Sequence, residues 1–161
     1  MSLPIRAATT ASDSAQAREL FREYAEWLAI DLCFQDFDTE LATLPGAYAP
    51  PRGMLMLAGP LDAAIGCIAL RPLATEGGSS DTIAEVKRLY VGPVARGTGL
   101  GRRLVQTVID GARGIGYREL KLDTLDRMVE ARSLYAKLGF RECAPYYHNP
   151  IAGAVYMALK L

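Results

Sequence analysis

Apolar residues recur at helical spacing in three stretches of the chain, and each stretch predicts an amphipathic helix. The first follows the N-cap candidates Ser12 and Asp13, and glycines end the other two. The apolar positions are Leu20, Tyr24, Trp27 and Leu28 in the first stretch, Leu100, Leu104, Val105, Val108, Ile109, Ala112 and Ile115 in the second, and Met128, Ala131, Leu134, Tyr135 and Leu138 in the third.

Short apolar runs between these stretches predict strands. The runs are residues 5–7, 54–58, 64–70, 82–91, 120–124, 140–143 and 154–161, with turn residues at 59–62 and a glycine-serine loop at 76–80. Neighbouring strands come first, and strands then alternate with helices. We therefore expect a single α/β domain over residues 1–161, with a mixed sheet and helices packed on both of its faces.

The composition excludes several classes of function. Among 161 residues, 18 are basic and 18 are acidic, and this zero net charge argues against non-specific nucleic-acid binding. Cys33, Cys67 and Cys143 are widely spaced and His148 is the only histidine, so we expect no metal site and buried thiols in a reducing compartment. A signal peptide and an apolar run of roughly 20 residues are both missing from the sequence, which predicts a cytoplasmic protein with no membrane partner.

A glycine-rich turn carries the most informative chemistry. Residues 96–101 read Arg-Gly-Thr-Gly-Leu-Gly, between a predicted strand and a predicted helix. Glycines let the backbone turn tightly, and the start of a helix offers free N–H groups to an anion. The turn therefore predicts a phosphate or pyrophosphate cradle. It lacks the Gly-Lys-Ser/Thr ending of a P-loop and does not match the dinucleotide-binding fingerprint.

The wider context of this turn resembles a known family. The segment 85–91, Glu-Val-Lys-Arg-Leu-Tyr-Val, is followed by Pro93 and the glycine-rich turn, and it closely resembles the acetyl-CoA-binding motif of the GNAT superfamily of N-acetyltransferases. The segment 131–140, Ala-Arg-Ser-Leu-Tyr-Ala-Lys-Leu-Gly-Phe, resembles the second signature of that superfamily. The specific match covers roughly residues 82–141.

The resemblance implies a GNAT-like, mostly antiparallel sheet that splays open between its fourth and fifth strands, with acetyl-CoA in the gap. It implies that the backbone of the fourth strand pairs with pantetheine and that the glycine-rich turn holds the pyrophosphate. The cofactor-binding residues expected on this basis are Leu89, Tyr90, Val91, Arg96, Gly97, Thr98, Gly99, Leu100, Gly101 and Arg102.

Acetyl transfer to an amine needs a proton acceptor for the amine and a proton donor for the departing thiolate. By its place in the second signature, Tyr135 is expected to protonate the sulfur, and Glu85 beside the cleft is expected to accept the amine proton. Each has an alternative, because Tyr135 also falls on an apolar helical face and Glu85 also suits an ion pair with Lys87 or Arg88. A base is not recognisable beside the strand cysteines, so we expect direct transfer in a ternary complex.

The sequence says least about which residues bind the acceptor. Residues 31–53 form a long connection that is either functional or a surface loop pinned by its aromatic residues. In this fold it is expected to face the late strands, and the candidate acceptor-binding residues are Phe34, Tyr48, Arg71, Tyr146 and Tyr147. We expect a small-molecule amine as the acceptor. A peptide N-terminal acetyltransferase and a non-catalytic acyl-CoA-binding module remain alternatives, and a homodimer is plausible from the exposed apolar residues.

Overall fold

The computed structural model describes residues 2–161, and in this range it contains seven strands and four α-helices. Three short 3-10 segments, at Cys33–Gln35, Gly46–Tyr48 and Pro93–Ala95, lie in the connections. The strands are β1 (Ile5–Ala7), β2 (Met54–Ala58), β3 (Gly66–Thr75), β4 (Gly78–Val91), β5 (Glu119–Leu125), β6 (Arg141–Glu142) and β7 (Ala154–Lys160), and the helices are α1 (Ala11–Leu28), α2 (Phe37–Thr43), α3 (Leu100–Ile115) and α4 (Val129–Lys137).

The strands form one sheet in the order β1-β2-β3-β4-β5-β7-β6. Every neighbouring pair is antiparallel except β4 and β5, which run parallel. A parallel pair needs a crossover connection, and α3 supplies it. The structure thus confirms the predicted mixed, mostly antiparallel sheet. Within residues 2–161, none of the helices combines the length and apolar character needed to cross a bilayer.

The parallel pair separates part of the way along its length. β4 and β5 pair only at Ile83–Glu119, Ala84–Leu120 and Glu85–Lys121, and beyond these residues the two strands diverge. β4 also bulges just past this point: Cys67 pairs with Tyr90 and Ala69 with Lys87, so two residue steps on β3 match three on β4. A bulge bends its strand and increases the local twist, which helps to open the sheet. The predicted splay between the fourth and fifth strands is confirmed.

Apolar clusters cover both faces of the sheet. The α3 and α4 side holds alternate strand residues such as Val86, Leu120 and Leu122, while the α1 and α2 side holds the intervening positions, among them Leu57 and Ala69. Strand side chains alternate between the two faces, so the two clusters lie on opposite sides. The prediction of helices on both faces is confirmed. The opening between β4 and β5 is therefore walled by helices on either side.

Most element boundaries follow the sequence pattern, with several corrections. Thr10, not Ser12, caps α1, and it forms a reciprocal capping box with Asp13. The stretch predicted as a flexible loop at 76–80 is a tight hairpin, because β4 already begins at Gly78. Gly116, in the left-handed region, ends α3. Cys33 is exposed, so the expectation of buried thiols is wrong for that residue.

Candidate active site

A cleft of about 1190 Å³ opens where β4 and β5 diverge. Residues 86–91 of β4 and 122–125 of β5 form its two long walls. The start of α3 lies at one end, and α4 and the C-terminal end of α1 also contribute residues. At the other end, the 3-10 segment that contains Phe34 and Gln35 meets the loop that contains Asn149 and Ile151. The cleft thus has two chemically different ends.

The α3 end has the geometry of an anion site. Gly97 and Gly99 have φ values of 76° and 83°, a region that side-chain-bearing residues rarely adopt. A Cβ added at either position would have no heavy atom within 4 Å, so the space above this turn is open. Gly99 precedes α3 without a side-chain cap, which leaves the first N–H groups of the helix to a ligand. Because Arg102 also lines this end, the residues present fit a pyrophosphate.

Nine of the ten cofactor-binding residues predicted from the sequence line the cleft. Thr98 does not, and its hydroxyl instead donates to the Ala95 carbonyl oxygen at 2.6 Å. The Arg96 guanidinium lies over the rings of Trp27, at 5.4 Å, and Tyr90, at 5.8 Å. The Arg96 side chain thus lies on the α1 side of the cleft, and its Nε donates to the Val91 carbonyl oxygen at 3.0 Å.

Tyr135 lies on α4 and lines the cleft with only 7% of its surface exposed. Its ring packs against Phe140 with a centroid separation of 5.7 Å. Burial raises the pKa of the phenol above its ordinary value, so the group is protonated at neutral pH. A protonated phenol in this position has the state that a proton donor requires. Tyr135 is also part of the apolar cluster, so its predicted core position is confirmed, and its role as proton donor stays a prediction.

The bulge in β4 places two successive charged residues on the same face. Arg88 has a φ of 61°, and both Lys87 and Arg88 contact the Gln35 amide oxygen, at 3.0 and 2.8 Å. In a regular strand these neighbours would point to opposite faces. Arg88 also forms a two-pronged ion pair with Glu40 of α2, at 2.8 and 2.9 Å, and is 1% exposed. This pair ties α2 to the sheet beside the cleft.

Lys87 lies between two carboxylates. Its ammonium nitrogen is 3.8 Å from Oε2 of Glu85 and 3.6 Å from Oδ1 of Asp123. Its side chain is only 4% exposed, and burial lowers the pKa of this lysine even though both carboxylates act in the opposite direction. Lys87 and Asp123 both line the cleft. They put a positive and a negative group at the end opposite α3.

Asp123 is held by the loop that precedes β7. Its Oδ2 atom accepts hydrogen bonds from the Tyr147 hydroxyl and from the Asn149 amide nitrogen, the latter at 2.9 Å. The Tyr147 hydroxyl also accepts from the Gln35 amide at 3.1 Å. Burial first, and Asp123 second, raise the pKa of Tyr147, so it is a donor at neutral pH. The loop thereby fixes the orientation of the carboxylate.

Glu85, the predicted proton acceptor, is not part of the cleft wall. Its Oε1 atom accepts from Nε and Nη2 of Arg71, at 3.1 and 3.0 Å, and its Oε2 atom accepts from the Tyr146 hydroxyl at 2.6 Å. The structure therefore corrects the expectation that Glu85 faces the cleft. β4 is still paired with β5 at Glu85, so the strands have not yet separated there, and the side chain is held inside this network. Its ion-pair partners are Arg71 and Lys87, not Arg88.

The predicted acceptor-binding residues fall into three groups. Phe34 lines the cleft. Tyr48 is only 2% exposed in the core between α1 and the sheet, and it does not reach the cleft. Arg71, Tyr146 and Tyr147 bind the two carboxylates instead of forming the cleft wall. Residues that the sequence reasoning missed are Gln35, Lys87, Asp123 and Asn149. The one available signal was the charged pair Lys87 and Arg88 between apolar residues of β4.

Comparison with known proteins agrees with this geometry. The model of the acetyltransferase (GNAT) family matches residues 9–140. An uncharacterized N-acetyltransferase of Schizosaccharomyces pombe is 39% identical over 160 residues, covering 99% of this chain and 95% of the relative. Because nearly the full length of both chains is aligned, the similarity includes both ends of the cleft.

Solved structures share the fold. An acetyltransferase of Streptococcus agalactiae superimposes with a TM-score of 0.79 at 21% identity, covering 100% of this chain and 99% of the other. An acetyltransferase of Salmonella typhimurium, solved with its cofactor acetyl-CoA, gives a TM-score of 0.73 at 19% identity, covering 99% and 94%. At these identities the superpositions establish the architecture.

Proposed function

Because the chain belongs to the GNAT acetyltransferase family and uses acetyl-CoA as its cosubstrate, we propose that it acetylates the primary amine of a small molecule directly, in a ternary complex. One observation carries the proposal. A single cleft joins an anion-binding helix start to a buried cluster of charged and amide side chains, with the protonated Tyr135 along its wall. Such a cleft accommodates both substrates at once.

Different residues of the cleft would bind different parts of acetyl-CoA, which supplies an acetyl thioester. The first N–H groups of α3 and Arg102 would hold the pyrophosphate. β4 loses its parallel partner after Glu85, so its backbone from Val86 to Val91 would offer hydrogen bonds to the pantetheine arm. Tyr135 would protonate the departing sulfur.

The opposite end of the cleft supports a small acceptor. Phe34 and Gln35 on one side and Asn149 and Ile151 on the other approach the charged pair Lys87 and Asp123. These groups give a compact pocket with an apolar side and polar groups at its base, which is typical of small-molecule sites. The homodimer and the cytoplasmic location predicted from the sequence stay predictions.

The proposal is tested by a transfer assay. The protein is incubated with acetyl-CoA and a panel of primary amines: aryl-alkyl amines, polyamines, amino acids and short peptides with free N-termini. Thiol release is followed by absorbance, and the acetylated product is identified by mass spectrometry. We expect saturable acetylation of a small amine. Preferential acetylation of peptides would favour the N-terminal acetyltransferase alternative, and binding of acetyl-CoA without transfer to any amine would contradict the proposal.

A further inference from the structure

Resting on the proposed acetyl transfer, we propose that Asp123 is the group that binds the acceptor's ammonium and removes its proton. Two carboxylates among residues 2–161 line the cleft, Glu130 and Asp123. Glu130 is exposed in the first turn of α4, whereas the side chain of Asp123 is only 8% exposed and keeps one oxygen free of hydrogen bonds. That oxygen faces the Lys87 ammonium at 3.6 Å and accepts no hydrogen bond from it.

The two buried carboxylates beside Lys87 differ in how their oxygens are used. Both oxygens of Glu85 accept hydrogen bonds, from Arg71 and from Tyr146, and the residue lies outside the cleft wall. Asp123 lies on the wall, and only its Oδ2 accepts hydrogen bonds from the side chains around it. Its Oδ1 has Lys87 at 3.6 Å, beyond hydrogen-bond distance. An ammonium in the cleft would therefore find an acceptor at Oδ1.

The groups around Asp123 fix the orientation of its carboxylate. Tyr147 and Asn149 bind Oδ2 and so fix the plane of the carboxylate, and Tyr156 in turn donates to the Tyr147 carbonyl oxygen at 2.9 Å. Lys87 donates to the Gln35 amide oxygen at 3.0 Å and lies 3.6 Å from Oδ1 of Asp123, so it forms an ion pair with the carboxylate without a hydrogen bond to it. A fixed carboxylate with a free oxygen costs little reorganisation when the acceptor binds.

The proton and electron balance is complete without a further reactant. The ammonium gives one proton to Oδ1 of Asp123, and the freed nitrogen lone pair forms a bond to the acetyl carbon. The carbon–sulfur bond breaks, the electron pair stays on sulfur, and Tyr135 gives that sulfur a proton. The new amide nitrogen loses its second proton, and exchange with solvent restores Asp123 and Tyr135. Overall, one proton reaches sulfur and one reaches solvent.

The test separates proton removal from structural support. The substrates are the fastest amine of the panel and its aminooxy analogue, for example benzylamine with O-benzylhydroxylamine. The two have similar shape, but the first is protonated at neutral pH and the second is not. Asp123→Asn is expected to lower kcat/KM for the amine about 100-fold, the usual loss on removing a general base, and for the aminooxy compound only a few fold. Acetyl-CoA affinity is expected to stay unchanged.

Equal losses on both substrates, or retained kcat/KM on the amine, would overturn the role of Asp123 while leaving the proposed function intact. A wild-type protein that acetylates no amine would overturn the proposed function and the role of Asp123 with it. Asp123→Glu keeps a carboxylate and serves if the asparagine variant does not fold: it is expected to show a smaller loss that is again confined to the protonated amine. Asp110→Asn, on an exposed side chain of α3, is the matched control and is expected to behave as wild type.

Discussion

Replacement of Gly99 by alanine is expected to weaken both the fold and acetyl-CoA binding. Gly99 has a φ of 83° at the residue before α3, and a Cβ there would meet no heavy atom within 4 Å. Steric overlap with neighbours is therefore not a factor, and the cost is that of holding alanine in the left-handed region, about 1–2 kcal/mol. A turn that relaxes to a negative φ would also redirect the first N–H groups of α3 away from the pyrophosphate.

Gly114 supplies a matched control in the same helix. It lies inside α3, and a Cβ there also meets nothing within 4 Å, but its φ is not positive. Gly114→Ala is expected to stabilise the protein by about 0.5–1 kcal/mol, because alanine loses less backbone entropy than glycine in a helix. The same chemical change thus has opposite signs at the two positions, and the two variants are expected to differ by about 1.5–3 kcal/mol.

Urea denaturation measures the free energy of unfolding of both variants, and titration calorimetry measures the Kd for acetyl-CoA. We expect a lower unfolding free energy and a raised Kd for Gly99→Ala, and a higher unfolding free energy with an unchanged Kd for Gly114→Ala. A stabilised Gly99→Ala variant with wild-type affinity would refute the reasoning about the turn.

Three further predictions concern single side chains. Hydrogen bonds from the Thr9 N–H and then from Arg6 lower the pKa of Asp13 from 3.8 to about 2. Asp13→Asn should therefore lose about 1–2 kcal/mol of unfolding free energy above about pH 4, and this loss should disappear as the pH falls toward 2. Urea titrations at several pH values measure it, and a pH-independent loss would contradict the reasoning. Glu40→Gln leaves the guanidinium of Arg88 buried without its charge partner and should cost about 3–5 kcal/mol by the same assay, whereas a loss below about 1 kcal/mol would disprove the importance of this pair. Tyr135→Phe should lower kcat at least about 100-fold in the thiol-release assay at constant acetyl-CoA affinity, and unchanged turnover would remove Tyr135 from the mechanism.

The parts of the fold that depend on local patterns were predictable. The bounds of β1 and β2 match the sequence pattern. The apolar face of α3 is buried as predicted, because a 3.6-residue period puts its apolar residues on one side of the helix, and that side packs on the sheet. The glycine-rich turn was also predictable from a local pattern, since positive φ values strongly favour glycine.

The acceptor end was not predictable, because it depends on contacts between distant segments. The bulge that turns Lys87 and Arg88 to one face follows from the register with β3, which no local pattern specifies. Asp123 meets Tyr147 and Asn149 only through the pairing of β5 with β7. Tyr48 was misplaced because an aromatic residue in a long connection suits a ligand contact and a core position equally well.

The most direct test of the central claim, direct transfer inside the cleft between β4 and β5, is a two-substrate initial-velocity experiment on the wild-type protein. The rate is measured against the concentration of the best amine at several fixed concentrations of acetyl-CoA. Direct transfer predicts double-reciprocal lines that intersect, since both substrates must be bound together. Parallel lines, together with an acetylated protein isolated in the absence of amine, would indicate a covalent intermediate and contradict the account.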